Sequence, residues 1–276
     1  MTNRPIFVGG MFKSGTSLVR AMLDQHPNIA TGLETWWFNF AWPPTAEKDQ
    51  KYLSRLGQFY DFEADEVHRL VGESGSVYEF LSLFLSTYAA RKHKKRWAEK
   101  TPANVCHMDR ILAGWPDAQI VHVVRDPKDV FASLCEAKKW NSVEEFTLRW
   151  CQVFTAVDAF LQHHELGKTS YLELRYELLV KDPVTATKRL CAFLDEPWSS
   201  QLASFNGRSG DYEKVLALTG KSSTTLKRLS EPLSAARVGI WRDLLSDAQI
   251  SSVRAAVADQ GLDGVFRRIE DATPKV

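Results

Sequence analysis

The sequence predicts an α/β fold with a central parallel sheet flanked by helices, organised as one domain over residues 1–276. Three observations predict it. Short apolar runs alternate with amphipathic stretches along the chain, as in successive βα units. The run Q-I-V-H-V-V at 119–124 is rich in β-branched residues, which suits a strand buried on both faces. The stretch from Pro5 to Leu18 reads as a strand, a glycine-containing turn and a helix start. That arrangement cradles phosphate, because a helix start offers unpaired N–H groups and a positive dipole end.

The elements follow in order. The first strand covers 5–9, and a helix over about 17–25 closes at His26-Pro27, with Leu18, Met22 and Leu23 on its apolar face. An extended piece at 28–32 delivers Glu34 into a loop. Residues 47–95 read as mainly helical, with 77–90 the strongest segment and the basic cluster 91–96 a solvated helix end. The strand at 119–124 runs into Arg125-Asp126-Pro127, where Asp126 has the chemistry of an N-cap and Pro127 that of a first helical residue. That helix reaches about Lys139. A long helix over 143–165, a strand over 170–174 and a helix over 183–194 come next. Residues 199–237 are rich in Ser, Thr, Gly and Lys with weak periodicity, which reads as a long ordered loop over a site. Ser246-Asp247 then opens a helix to about Asp259.

Composition bounds the function. A formal net charge of +1 gives no bulk electrostatic case for binding nucleic acid or a membrane surface, so any anion site must be local. No apolar run approaches the roughly 20 residues of a bilayer span. With the first strand read at residue 5, no signal peptide is expected before it. Four widely spaced cysteines without a C-x-x-C pair read as packed, reduced thiols, and a cytoplasmic setting is the expectation. None of the seven histidines has metal-ligand spacing, so no metal is expected.

The loop at 10–17 nearly fits G-x-x-x-x-G-K-[ST], with Gly10, Gly15 and Ser17 in place. Thr16 stands where the lysine belongs, and the loop's lysine is Lys13. A single P-loop-type domain follows, holding a phosphate ester rather than a magnesium nucleoside triphosphate through Lys13, Ser14, Gly15, Thr16 and Ser17. Ligands of open parallel sheets bind beyond the carboxyl ends of the strands. The second such junction offers Arg125 and, roughly 12 Å further along the helix, Ser133. The two reach one phosphate only if Arg125 extends along the helix. Two phosphate sites on one nucleotide suggest a ligand phosphorylated at both ends of its ribose. A P-loop kinase or nucleoside triphosphatase is the rival enzyme. Against it stand the missing lysine and a strand that runs into Arg125 before any acid. A non-catalytic nucleotide-binding module is a third reading.

These residues carry a resemblance. The stretch F-V-G-G-M-F-K-S-G-T-S at 7–17, continuing to His26-Pro27, resembles the phosphosulfate-binding loop and helix of the PAPS-dependent sulfotransferases, nearest to their tyrosylprotein branch. R-D-P-K-D-V-F-A-S at 125–133 resembles the family's 3′-phosphate motif. Arg175-Tyr176-Glu177 resembles the segment whose tyrosine lies against adenine. The resemblance implies 3′-phosphoadenosine 5′-phosphosulfate (PAPS) as donor, adenosine 3′,5′-bisphosphate (PAP) as product, and a hydroxyl-bearing acceptor, whether small molecule, sugar, lipid or peptide. It implies that Lys13 touches the phosphosulfate, that Lys100 in Glu99-Lys100-Thr101-Pro102 stabilises the transferring group, and that Glu34, before Thr35, is the general base. A carboxylate with an ordinary pKa near 4.3 would need apolar surroundings to serve as a base, which Trp36, Trp37, Phe38 and Phe40 are placed to supply. These aromatics and Trp42 serve either the core or an acceptor pocket.

The C-terminal part departs from the family pattern. Arg237-Val238-Gly239-Ile240-Trp241-Arg242 has the ingredients of the loop that closes on the 3′-phosphate, with Ile240 where a basic residue is common. Arg237 is the first choice for that contact and Arg242 the second. Ser223, within Ser222-Ser223-Thr224, resembles the branch's donor-side serine. Ala137 replaces a basic residue of the branch.

Overall fold

Strand burial fixes the layers. In the computed structural model, which describes residues 4–39, 41–139, 142–164, 170–207 and 210–271, β1 (Ile6–Gly9) is buried at every position and leads through the glycine loop into α1 (Thr16–Leu23). β2 (Ile29–Thr31) and a 3₁₀ turn at Trp37–Asn39 precede α2 (Glu47–Tyr60), α3 (Ala64–Gly72) and α4 (Val77–Arg91). Then come β3 (Arg96–Lys100), a second 3₁₀ turn (Pro102–Cys106), α5 (Met108–Gly114) and β4 (Gln119–Val124). α6 (Pro127–Glu136) and α7 (Val143–His163) lead to β5 (Tyr171–Arg175), α8 (Tyr176–Lys181) and α9 (Pro183–Phe193). Shorter helices follow: α10 (Ser200–Ala203), α11 (Gly210–Thr219), α12 (Thr224–Arg228) and α13 (Trp241–Leu244), then α14 (Asp247–Asp259) and α15 (Asp263–Asp271).

The five strands are all parallel, in the order β2-β3-β1-β4-β5. This is a single α/β domain with helices on both faces. β1 lies between β3 and β4, with Val8 in register with Lys100 on one side and Val121 on the other. The sheet's order therefore turns at β1, and the carboxyl ends of β1, β3 and β4 open onto one crevice. Alternation divides the core. Phe7 packs with Trp37, Trp97 and Trp115 under α2–α5. Ile6 and Val8 face α1 and α9 together with Val121 and Val123. Each such side chain, fully buried, contributes about 1.5–3 kcal/mol. Asp126 caps α6 by accepting from Lys128 N at 2.9 Å, with Pro127 at the first turn. Ser246 forms a capping box with Gln249.

Several expectations need correction. The cluster 91–96 is not simply a solvated helix end, because Arg96 begins β3 and is buried, donating to Leu194 O at 2.6 Å and Glu196 at 3.0 Å. The strand R-W-A-E-K is hidden in sequence because its three charged residues find distant partners. Residues 199–237 are not one long loop but contain α10, α11 and α12. Asp211 of α11 ion-pairs with buried Arg20, and Ser223 caps α12 by accepting from Leu226 N at 3.3 Å. The helix expected over 143–165 ends at His163. Glu165 and, in the aromatic run, Phe40 lie outside the described residues. Cys151 and Cys191 are buried, Cys106 is exposed, and among the described residues no cysteine is in a disulfide. Among the described residues no helix is long and apolar enough to cross a membrane.

Candidate active site

The loop after β1 is shaped by backbone that only glycine tolerates at two points. Gly10 has φ +150°, and a Cβ there would stand 2.3 Å from Val123 O. Gly15 has φ +104°, and its Cβ would stand 2.6 Å from the Tyr176 ring. With side chains absent at both, the loop presses against β4 and Tyr176 and leads directly into the first turn of α1. Gly15, the first turn of α1 and Tyr176 line a cavity of about 530 Å³ at the carboxyl ends of the strands. Its wall carries eight lysines and arginines against two carboxylates, Glu34 and Glu231. In a chain of net charge +1 this is a local anion site.

The cavity gathers Lys13, Gly15, Thr16, Ser17, Glu34, Lys100, Arg125, Ser133, Tyr176, Ser223 and Arg237. Ser14 stands apart. It is buried beneath the loop, its Oγ has no hydrogen-bond partner, and it is not on the cavity wall. Arg125 does extend along α6: Nη1 donates to Ser133 Oγ at 3.3 Å and to Lys13 O at 3.0 Å, and Nη2 donates to Arg237 O. The guanidinium lies 4.4 Å from the Tyr176 ring centroid, and its Nε is buried with no partner. Arg237 reaches the same place, donating to Ser133 Oγ at 3.4 Å and to Glu136 at 2.6 Å. Arg242 lies instead against Trp241, off the cavity wall.

A second cluster sits at the ends of α1 and β3. Lys100 is buried, ion-paired to Glu34 Oε1, and donates to Ser17 Oγ at 3.2 Å. Burial draws it below the usual lysine value, while the Glu34 charge opposes the shift. Glu34 Oε2 accepts from Trp36 Nε1 at 3.0 Å. The apolar shell expected around Glu34 is therefore corrected: its carboxylate is held by a cation and an indole N–H, because Trp37 turns away into the core and donates to Asn104 at 3.2 Å. Of the aromatic run, Trp36 lines the cavity, whereas Trp37 is core and Phe38 and Trp42 pack against it. Lys13, with φ 68°, donates to Thr225 Oγ1 at 2.8 Å. Burial, followed by Lys139 and Arg228, lowers its pKa to about 8.

Sequence reasoning missed several contributors. Asp129 accepts from Gly239 N at 2.8 Å and Trp241 N at 3.1 Å, and so ties the Arg237 segment to α6. Glu136 collects Arg228 and Arg237, and Thr225 holds Lys13. The acid at 129 was visible in the 125–133 motif, but its partners lie more than a hundred residues away. Among the described residues no group of three or more His, Cys, Asp or Glu could hold a metal ion.

The sheet order and the glycine loop define a P-loop-type α/β protein. A family model described as "Sulfotransferase family" matches residues 5–200, and the chain belongs to that family. Protein-tyrosine sulfotransferase of Drosophila melanogaster is 24% identical over 208 residues, covering 70% of this chain and 38% of that protein. Protein-tyrosine sulfotransferase 1 of Danio rerio is 27% identical over 216 residues, covering 70% of this chain and 54% of its own length. The matched region thus spans about a third to a half of these relatives. The fold matches the sulfotransferase domain from the Synechococcus PCC 7002 olefin synthase with a TM-score of 0.68 at 20% identity, over 93% and 94% of the two chains. A mouse sulfotransferase complexed with PAP superimposes with a TM-score of 0.55 at 15% identity, over 99% and 90%.

Proposed function

We propose that this protein is a sulfotransferase that moves a sulfuryl group from PAPS to an acceptor hydroxyl, with Glu34 as general base. One observation carries the reading: two anion-binding clusters and a paired carboxylate and lysine line one cavity. Arg125, Ser133 and Arg237 form a pocket of charge-assisted donors suited to a ribose 3′-phosphate. The first-turn amides of α1, Ser17 and Lys13 suit a 5′-phosphosulfate. The buried, unpartnered Arg125 Nε supports the fit, because a buried donor without a partner is costly unless a ligand supplies one. Family membership and a PAP-bound fold relative point the same way.

When bound, the donor supplies a sulfuryl group whose bond to the bridging phosphate oxygen breaks as the acceptor oxygen bonds to sulfur. Glu34 accepts the acceptor's proton, which becomes acidic as the acceptor oxygen bonds to sulfur, so this role does not depend on the apolar shell the sequence suggested. Lys100, already in contact with both Ser17 and Glu34, stands where charge builds between donor and acceptor. Lys13, also on the cavity wall, would supply a second positive charge toward the leaving oxygen. These are fixed charges, in place before reaction. Tyr176, against Arg125 and Gly15, offers a face for adenine. The acceptor end, between α2 and α11, is walled by Leu33, Trp36, Leu56, Phe59 and Val215, which favours an acceptor with an apolar or aromatic body. The chain's setting is proposed to be cytoplasmic.

The test is transfer of labelled sulfate from PAPS to a panel of phenols, alkanols and sugars. Wild-type protein should transfer label, and Glu34→Gln should lower kcat by about 10²–10⁴ while binding PAP as wild type does. Transfer unchanged by Glu34→Gln would remove Glu34 as base. PAP binding without transfer in the wild type would leave a nucleotide-binding module.

A further inference from the structure

Glu99 precedes Lys100 on β3 and points away from the cavity, whose wall does not include it. It is completely buried, and a buried carboxylate persists only where donors satisfy it. Four do. Oε1 accepts from Thr35 N at 3.2 Å, Thr35 Oγ1 at 2.8 Å and Thr101 Oγ1 at 2.7 Å, and Oε2 accepts from Asn104 Nδ2 at 2.5 Å. A carboxylate is an acceptor-only group with about four lone-pair sites, and no neutral side chain matches that demand.

The second layer of contacts gives this hub a direction. Thr101 Oγ1 also accepts from Trp36 N at 3.2 Å, and Asn104 Oδ1 accepts from Trp37 Nε1 at 3.2 Å. Thr35, Trp36 and Trp37, the three residues after Glu34, are thus all tied to Glu99, directly or through one side chain. On the other side of Glu34, Leu33 O accepts from Tyr60 Oη at 2.6 Å. Trp36 has φ 48°, a conformation that a residue with a Cβ adopts only under constraint. That same Trp36 donates its indole N–H to Glu34.

We propose that Glu99 is a positioning residue: by clamping the Thr35–Trp37 backbone from β3, it sets where the Glu34 carboxylate lies relative to Lys100. The inference rests on Glu34 being the base in the reaction proposed above. It separates two roles on adjacent strand residues. Lys100 faces the reacting atoms, and Glu99 holds the segment that brings the base to them. Misplacing a catalytic group by about 1 Å costs on the order of a hundredfold in rate.

The test is a double-mutant cycle with a structural readout. Glu99→Gln should lower kcat ten- to a hundredfold with PAP affinity within twofold of wild type. Glu34→Gln and the double variant Glu34→Gln/Glu99→Gln should then have equal kcat within about twofold, because Glu99 acts through Glu34. Amide exchange at Thr35 and Trp36 should quicken at least tenfold in Glu99→Gln, with exchange in β1 unchanged. Thr35→Val, which removes one donor and keeps the carboxylate, should show the same pattern at severalfold size, and it carries the test if the Gln variant does not fold. A multiplicative loss in the double variant, or a loss of PAP affinity equal to the loss of kcat, would overturn the proposal. Unchanged exchange at Thr35 and Trp36 would overturn it too, even if the wild type transferred no sulfate and the functional reading had failed by itself.

Discussion

Lys13 gives a binding equilibrium with a calculable pH dependence. Burial and the charges of Lys139, Arg228 and Arg237, only partly offset by Glu136, bring its pKa to about 8. A bound dianionic phosphate beside it would hold the lysine protonated, so nucleotide binding above pH 8 must take up a proton. The direction follows from linkage: the state that binds more protons is favoured at low pH, so affinity falls as pH rises through 8. Between pH 7 and pH 9 the protonated fraction of free Lys13 falls about tenfold, and the dissociation constant of PAP should rise by about the same factor, or roughly 1.4 kcal/mol. Calorimetry in two buffers of different ionisation enthalpy should register uptake of nearly one proton at pH 9 and about 0.1 at pH 7. Lys13→Arg keeps the charge at all these pH values, so its affinity should be flat and its proton uptake absent. An equal slope in Lys13→Arg, or a flat wild type, would refute the assignment of Lys13 to the anion site.

Asp129→Ala should release the 237–241 segment and leave two half-buried amides without this acceptor, weakening PAP binding about tenfold and lowering stability by about 1–3 kcal/mol; titration and thermal melting read both. Gly15→Ala places a Cβ at φ +104° and 2.6 Å from Tyr176, so denaturant unfolding should show a loss of about 1–3 kcal/mol, partly relieved by adding Tyr176→Ala. Burial raises Asp126 to about 6, so its contribution to stability is fully present below about pH 4 and is lost as pH rises through 6. Asp126→Asn keeps a capping oxygen but does not titrate, and the variant's Tm should gain on wild type as pH rises from 4 to 6.5.

The parts of this molecule legible in the sequence are those whose chemistry is local. The loop at 10–17 declares an anion site because glycines, hydroxyls and a helix start lie within eight residues. α6 declares its start through Asp126-Pro127, and the Arg125–Ser133 spacing anticipated a contact that depends on Arg125 following its own helix. β3 was illegible because its charges are satisfied from afar: Arg96 by Glu196, and Lys100 by Glu34. The helices α11 and α12 were illegible for a related reason. Their periodicity is weak, and they are fixed by Asp211–Arg20, the Ser223 cap and Thr225–Lys13. The surroundings of Glu34 were misjudged because the consecutive aromatics Trp36, Trp37 and Phe38 cannot all face one way. The 3₁₀ turn sends Trp37 into the core and leaves Trp36 at the carboxylate.

The most direct measurement is calorimetric titration of the protein with adenosine 3′,5′-bisphosphate, adenosine 5′-monophosphate and magnesium ATP, in wild type and in Arg125→Ala. If Arg125, Ser133 and Arg237 hold a 3′-phosphate while the α1 loop holds the 5′ end, the bisphosphate binds at least about tenfold more tightly than the monophosphate. That preference should collapse in Arg125→Ala. Equal binding of the two nucleotides by wild type, or tighter binding of magnesium ATP, would contradict it.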